Sequence, residues 1–520
     1  MLTTGRRITI FLWLFIFLPP LAAQDSILYQ RVTIKDTLCT VEQALRIIEK
    51  QTHLSFSYNT GLINKKKTIL LSARQEPLID ILRQITDDHS LEYSIIGRHL
   101  VIYRPVRTLA INPESKIDSV YFFEIRGRVL DRKDGLPLPY SSIYLRGKSI
   151  GTISNEDGEF LLKLNSSEIG ETLIISSIGY KDFSSPVTSL VNSTADYFLK
   201  PDVVSIQEVI IRKIDPVSLL QNASVSIKKN YSQRPALLTS FYRETVKRGN
   251  RYLTVSEAVI ENFKSSYTGL GSEQVKILKG RKSDDLSRQD TVMLKLKGGL
   301  GTMLLLDVVQ NRPEFLTPEF LDDYNFKLAD IVIDEGRDNY AVAFSPRPGS
   351  DAIYSGRIII DIRDMAFRWV EFYVSPERLA QATKLFIVKK PSNLVVRVLN
   401  AHYKVAFRKA GSKYYLNLIR AETEFRIRNK RQITGSTYST RLEMAVTDID
   451  TLNADRFPQR QTARLNEFFS DQLGTYDEAF WGEYNFITPE ESLENAIIKL
   501  QRAQAEKKEE SGMEQDNSNN

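Results

Sequence analysis

Residues 125–147, IRGRVLDRKDGLPLPYSSIYLRG, and residues 151–164, GTISNEDGEFLLKL, decide how this chain is read. Apolar and polar residues alternate in short runs, Phe123 to Leu130, Ser141 to Leu145 and Gly158 to Leu164. Asp134-Gly135 and Asp157-Gly158 separate them. A short acidic side chain bonds the nearby backbone and the glycine accepts a left-handed conformation, so each pair marks a tight turn. Asn155, Asp157 and Gly158 form one such turn, and Gly179-Tyr180 marks the start of another segment. Thr172 to Ser176 and Phe183 to Val187 continue the pattern. Short strands at regular spacing with Gly/Asp turns predict a β-sandwich.

These stretches, with LIISSIGYKDFSSPV at 173–187, resemble the carboxypeptidase-regulatory-like domain, a prealbumin-type sandwich, over 123–200. That family is named for an accessory domain beside some carboxypeptidases, so the resemblance implies no peptidase chemistry. The next stretch, VVSIQEVIIRK at 203–213, is similar to the joining strand that follows this sandwich in Bacteroidetes-type envelope proteins. Pro216 to Lys229 then reads as a helix with Leu219, Leu220, Ala223 and Ile227 in register, which makes 201–234 a connecting strand and helix.

Towards the N-terminus, residues 28–103 switch between two periods. Leu28 to Ile34 reads as a strand, and Thr40 with Gln43 forms a capping box. Val41, Ala44, Leu45 and Ile48 then share one helical face. Leu54, Phe56 and Tyr58 alternate as a strand, and Thr68 to Leu71 is another. Pro77 is expected in the first turn of a helix whose buried stripe is Leu78, Ile81, Leu82 and Ile85. Leu91 to Ile96 and His99 to Tyr103 pair across Gly97-Arg98. The order of elements, TVEQALRIIEKQTHLSFSY at 40–58 and LEYSIIGRHLVIYR at 91–104 resemble the STN domain, the secretin and TonB N-terminal short domain. The resemblance implies a periplasmic module ahead of outer-membrane receptors or secretins that docks onto partner proteins. Residues 104–122 read as a linker.

Arg6 and Arg7, the apolar run Ile8 to Leu18 and the small-residue end Leu21-Ala22-Ala23-Gln24 form a signal peptide, 1–23, with cleavage expected after Ala23. No cysteine stands directly after that site, so lipid attachment there is not expected. Cys39 is the one cysteine of the chain, which rules out an intramolecular disulfide, and it reads as a small core residue.

Residues 235–502 make the largest piece. Tyr340 to Phe344, Ile358 to Ile362, Trp369 to Val374, Leu394 to Leu399, Tyr403 to Phe407, Tyr414 to Ile419 and Glu422 to Ile427 predict a large antiparallel sheet. The hairpin YSGRIIIDIRDMAFRWVEFYV, 354–374, turning at Arg363-Asp364, resembles a strand pair of lipoprotein-carrier half-barrels. YDEAFWGEYNFITPEESLENAIIKL, 476–500, is similar to the end of uncharacterised Bacteroidetes proteins that carry the same sandwich. Thr488 is expected to cap a helix starting at Pro489, with Glu491 as its partner. Residues 503–520 read as a disordered tail. The fold class is therefore multidomain α+β and all-β: a small βαββαββ module, a β-sandwich, then a large antiparallel sheet with few helices.

Net charge is +6, with Arg6 and Arg7 in the leader. The one basic run singled out, Lys65-Lys66-Lys67, reads as a solvated turn, and nucleic acid is not an expected partner. His53, His89, His99 and His402 stand apart from one another and from Cys39, without metal-ligand spacing. No GxSxG elbow occurs, and no GK[ST] follows Gly298-Gly299-Leu300-Gly301, which reads as a flexible loop before the apolar run Met303 to Val309. Asp284-Asp285, Asp322-Asp323 and Glu490-Glu491 are adjacent pairs whose side chains diverge. No catalytic, cofactor-binding or metal-ligating residue is assigned, no cofactor is expected, and the chain is not read as an enzyme. Phe367, Trp369, Phe372, Tyr373, Tyr414 and Tyr415 read as strand core, or alternatively as the lining of an apolar cavity for an acyl chain.

The expected function is that of a non-catalytic interaction protein, periplasmic or associated with the periplasmic face of the outer membrane. Its expected partners are envelope proteins of TonB-dependent transport or signalling, an outer-membrane receptor or an anti-sigma-type regulator. The alternative is a lipid or lipoprotein carrier acting through a half-barrel C-terminal domain. A receptor with its own outer-membrane barrel would need about 22 strands and a plug domain, more than the chain after residue 200 supplies.

Overall fold

The computed structural model describes residues 28–52, 54–58, 63, 65, 67–88, 91–96, 99–103, 122–191, 193–202, 214–269, 271–284, 295–296, 299–389, 392–475 and 481–500. The leader, the linker, the joining strand 203–213, His53, His89 and the C-terminal tail lie outside them. The chain divides into two compact units, Met1–Phe123 and Glu124–Asn520.

The first unit runs β1 (Arg31–Thr40), α1 (Val41–Thr52), β2 (Ser55–Tyr58), β3 (Thr68–Pro77), α2 (Leu78–Thr86), β4 (Glu92–Ile96) and β5 (His99–Tyr103). β1 pairs antiparallel with β3, and β5 lies between β2 and β4. The capping box forms: Thr40 N–H donates to Gln43 Oε1 at 3.0 Å, and Gln43 N–H to Thr40 Oγ1 at 3.3 Å. Both predicted helix stripes are buried, and Cys39 joins the same core. Pro77 stands one position earlier than expected. With ψ at 139° it is extended, ending β3 and preceding the helix instead of starting it.

In the second unit the sandwich comprises β6 (Phe122–Asp131), β7 (Ser142–Leu145), β8 (Gly151–Ile153), β9 (Glu159–Asn165), β10 (Thr172–Ser176), β11 (Phe183–Pro186) and β12 (Thr194–Leu199). One sheet has the order β11-β10-β7-β8 and the other β12-β6-β9. Asn155 Oδ1 accepts the N–H groups of Asp157 at 3.0 Å and Glu159 at 2.8 Å, closing the turn into β9. Gly158 is required there: its φ is +75° and a Cβ would stand 2.5 Å from the Val129 carbonyl oxygen.

After α3 (Pro216–Asn230) come β13 (Ala236–Arg248), β14 (Arg251–Lys264), β15 (Gln274–Asp284), β16 (Lys295–Leu296) and α4 (Gly299–Leu305). β17 (Tyr324–Asp334), β18 (Arg337–Pro346), β19 (Tyr354–Asp361) and β20 (Phe367–Val374) follow, then α5 (Leu379–Phe386) and β21 (Ile387–Lys389). β22 (Leu394–Ala410), β23 (Lys413–Asn429), β24 (Ser436–Asp450) and β25 (Gly474–Thr475) complete the strands. Eleven of these form one sheet in the order β17-β18-β19-β20-β22-β23-β24-β13-β14-β15-β25, antiparallel except where β25 joins β15. Two predicted pairs of short strands are single long ones. Leu394 to Leu399 and Tyr403 to Phe407 belong to β22, which carries its register across a bulge between Val398 and Asn400. Tyr414 to Ile419 and Glu422 to Ile427 belong to β23. The glycine-rich loop also differs from expectation, because Gly299 to Leu305 is helical and buries Leu300 and Met303.

The two faces of the sheet are covered differently. α3, α4 and α5 pack on one through Leu219, Ala223, Ile227, Leu300, Met303, Ala382 and Phe386. Towards the β17 end of this face Phe315 stacks on Phe344 at 4.4 Å and meets Phe372 at 5.1 Å, and Phe372 stacks on Tyr403 at 4.7 Å. The opposite face presents Phe241, Val259, Ala406, Leu418 and Ala445 to Ile153 of the sandwich and to Trp481 and Ile487 of the C-terminal segment.

Candidate functional site: a buried charged seam

The middle of the sheet carries a row of charges on the face that meets the sandwich. Strand register places Arg281 opposite Glu257, Glu257 opposite Arg243, Arg243 opposite Glu443 and Glu443 opposite Arg420. The row continues through Lys404, Glu371 and Arg357. Charge alternates along it except between Arg420 and Lys404. Opposite charges on directly facing positions stabilise a sheet, and here much of the row is buried as well.

Arg243 is 1 % exposed. Its Nε donates to Glu257 Oε1 at 2.8 Å and its Nη2 to the Ile487 carbonyl at 2.7 Å. Arg281 Nε donates to Glu257 Oε2 at 2.9 Å, and its guanidinium lies 4.4 Å from the Trp481 ring centroid. Arg420 donates to Glu443 at 3.1 Å and to Glu156 and Glu422. Arg441 reaches Glu422 at 2.8 Å, Glu490 at 3.0 Å and Glu156 at 3.1 Å. Glu156 belongs to the sandwich turn and Glu490 to the C-terminal segment, so both modules supply carboxylates to arginines of the sheet. Burying a charge is costly unless it is paired and hydrogen-bonded, and the other module is where much of the pairing comes from.

Burial pushes the Glu156 carboxyl up to about 7 against the pull of Arg441, with Glu490, Glu422 and Glu443 adding to the rise. Burial also acts on Glu443, but Arg420 and Arg243 outweigh it and hold that carboxyl below its usual range. A second contact joins the sheet to the sandwich. Arg408 Nη2 donates to the Ser149 carbonyl at 2.6 Å, and Gly179 N–H to the Ile333 carbonyl at 2.7 Å. There a cavity of about 30 Å3 is lined by Ser176, Ile178, Glu335, Arg368 and Arg408, among others, about the room one water needs.

The C-terminal segment straps the two modules together. Asn485 exchanges hydrogen bonds with Lys163 of β9, and Lys163 Nζ donates to the Gly482 carbonyl at 2.5 Å. Asn155 Nδ2 donates to the Thr488 carbonyl at 3.3 Å. Residues 491–500 are helical and pack Leu493, Ile497 and Leu500 on Tyr252 and Val255. Thr488 does not cap this helix as predicted. Its hydroxyl donates to the Glu159 carbonyl at 3.2 Å, and Asp157 of the sandwich turn accepts the Glu491 N–H at 3.4 Å instead.

The residues weighed in the sequence are scattered. His402 Nε2 lies 2.9 Å from Glu371 Oε1, beside Lys404. His99 lies in β5, paired with Ser55 and Ile96. Of the adjacent carboxylates, Glu490 joins the seam, whereas Asp285 lies outside the described residues. Phe367, Phe372, Tyr414 and Tyr415 are buried core, Trp369 is half-buried and Tyr373 is exposed. Among the described residues no group of three or more His, Cys, Asp or Glu side chains could hold a metal ion, and no helix is long and apolar enough to cross a membrane. The seam residues of the sheet were missed because they are spread over β13, β14, β15, β23 and β24. Register alone brings them together.

Residues 125–211 match the family model of the CarboxypepD_reg-like domain. No curated protein matches the chain. Among solved structures, a DUF1329 family protein from Desulfovibrio piger is 14 % identical, with 47 % of this chain and 96 % of that one covered at a TM-score of 0.20. A LolA superfamily protein from Nitrosomonas europaea is 11 % identical over 48 % of this chain and 98 % of its own, at a TM-score of 0.19. The MucA/MucB complex of Pseudomonas aeruginosa supplies a chain 13 % identical, with coverages of 44 % and 92 % and a TM-score of 0.14.

Proposed function

We propose that this chain is a non-catalytic interaction protein of the bacterial envelope, exported by its leader and docking on outer-membrane or periplasmic partners of TonB-dependent transport or signalling. In this reading residues 28–103 are an STN-like module, 123–200 the sandwich, 201–234 a connection and 235–502 the sheet-rich domain. The observation that carries it is the seam. Arg243 and Arg281 are committed to Glu257 and Glu443 within the sheet, and Arg420 and Arg441 also reach Glu156 and Glu490 and so join modules to one another. The polar groups of this sheet build a single body that offers outer surfaces, with a CarboxypepD_reg-like sandwich as part of it. Crosslinking in intact cells followed by pull-down of the chain tests the proposal. Recovery of an outer-membrane receptor or an anti-sigma-type regulator supports it. Turnover of a substrate by the purified protein, abolished by one or two substitutions, overturns it.

The alternative, a lipid or lipoprotein carrier, draws on the apolar face under α3, α4 and α5. An acyl chain there would have to displace Phe315 from among Phe344, Phe372 and Tyr354.

A further inference from the structure

One rim of the large sheet concentrates positive charge in a way the linear sequence hides. Arg397 near the start of β22 is the direct cross-strand partner of Arg426 near the end of β23. Arg428 follows two positions on, and Lys430 and Arg431 lie in the turn leading to β24. Val396, Val398, Phe425 and Ile427 enter the apolar core, so by strand alternation Arg397, Arg426 and Arg428 stand on the other face. Adjacent strands are about 4.8 Å apart, which makes the group compact. Among the described residues none of these five cations is paired with a carboxylate, and Arg428 Nη1 donates only to the Gln432 carbonyl, at 3.2 Å. Like charges directly opposite one another destabilise a strand pair. The seam mostly avoids that arrangement, whereas the rim keeps it. At the tip of the same turn Ile433 is 99 % exposed.

We propose that this rim docks the protein on an anionic lipid surface. The cations supply attraction to anionic headgroups, and an aliphatic tip set among them gains from entering the boundary between headgroups and acyl chains. Ile433 favours a membrane over an acidic protein or nucleic acid, because those polyanions would reward the charges and leave the tip in water.

Cosedimentation of the full chain with phosphatidylcholine vesicles, with and without one part in about three of phosphatidylglycerol, tests this. Binding is expected to be stronger with the anionic lipid and to weaken with salt. The triple reversal R426E/K430E/R431E, all at exposed positions, is expected to lower affinity on the order of 100-fold, and Ile433→Ser by about tenfold. The leader would partition alike in every variant, so differences between variants report the rim. Unchanged near-ultraviolet circular dichroism shows that the variants stay folded. Three results overturn the proposal: no preference for anionic vesicles, vesicle binding insensitive to the reversal, or reversal without any effect of Ile433→Ser. The last would assign the rim to a soluble acidic partner.

Discussion

Lys163 and Asn485 hold each other by two hydrogen bonds across 322 positions of sequence. The Lys163 N–H donates to Asn485 Oδ1 at 2.6 Å, and Asn485 Nδ2 donates to the Lys163 carbonyl at 3.1 Å. Lys163 belongs to β9, an edge of the smaller sandwich sheet. One amide side chain thus satisfies both backbone groups of an edge residue, as a neighbouring strand would. Asn485→Ala is expected to leave them unpaired beneath the strap and to cost about 1–3 kcal/mol. The midpoint of urea unfolding measures this.

Arg243→Met removes the cation between Glu257 and Glu443, two carboxylates that are themselves buried. Removing one partner of a buried ion pair costs about 3–5 kcal/mol, and the lower end is expected here because Glu257 keeps Arg281 and Glu443 keeps Arg420. The same measurement on Arg243→Met with Glu257→Gln should recover part of the loss, because the second change removes one of the two carboxylates that shared this cation.

Glu156 gives the seam a pH dependence of known sign. Its carboxyl titrates at about 7 in the folded protein, above its ordinary value of 4.5. The folded state therefore binds this proton more tightly than the unfolded one, and stability from this group falls as pH rises from 4.5 to 7. Glu156→Gln removes that dependence. The difference in Tm between variant and wild type, Glu156→Gln minus wild type, should become more positive across that window and stay constant above it.

The sandwich was legible because Asn155, Asp157 and Gly158 act locally: their turn depends on a side chain bonding its own backbone and on a positive φ. The helix stripes and the Thr40–Gln43 box were legible for the same reason. The charged row was not. Arg243 sits in TSFYRETVKR with nothing local to mark it, and its partners lie 14 positions away at Glu257 of β14 and on the much later strand β24 at Glu443. Periodicity shows that a strand has two faces. It does not show which neighbours the register supplies, nor that a second module covers the outer face. Thr488 misled for a related reason, since Asp157 from another module takes the place its own side chain was expected to fill.

Phe315 decides between core and carrier on the helix-covered face. Phe315→Ala is expected to cost about 3–5 kcal/mol, as deletion of a buried aromatic does. Mass spectrometry of organic extracts from the purified wild-type protein should show no stoichiometric lipid. A lipid recovered one to one would favour the carrier reading.

The claim on which the rest depends is that the charged seam makes the sandwich and the large sheet one cooperative body. Native-state hydrogen exchange of the full chain measures it most directly. The seam predicts that the slowest amides of β6 and β10 and those of β13 and β23 open with the same free energy. It also predicts that Arg420→Met, which unties Glu156 and Glu443 together, lowers both sets. Sandwich amides that exchange by an independent, lower-energy opening, unaffected by Arg420→Met, would contradict it.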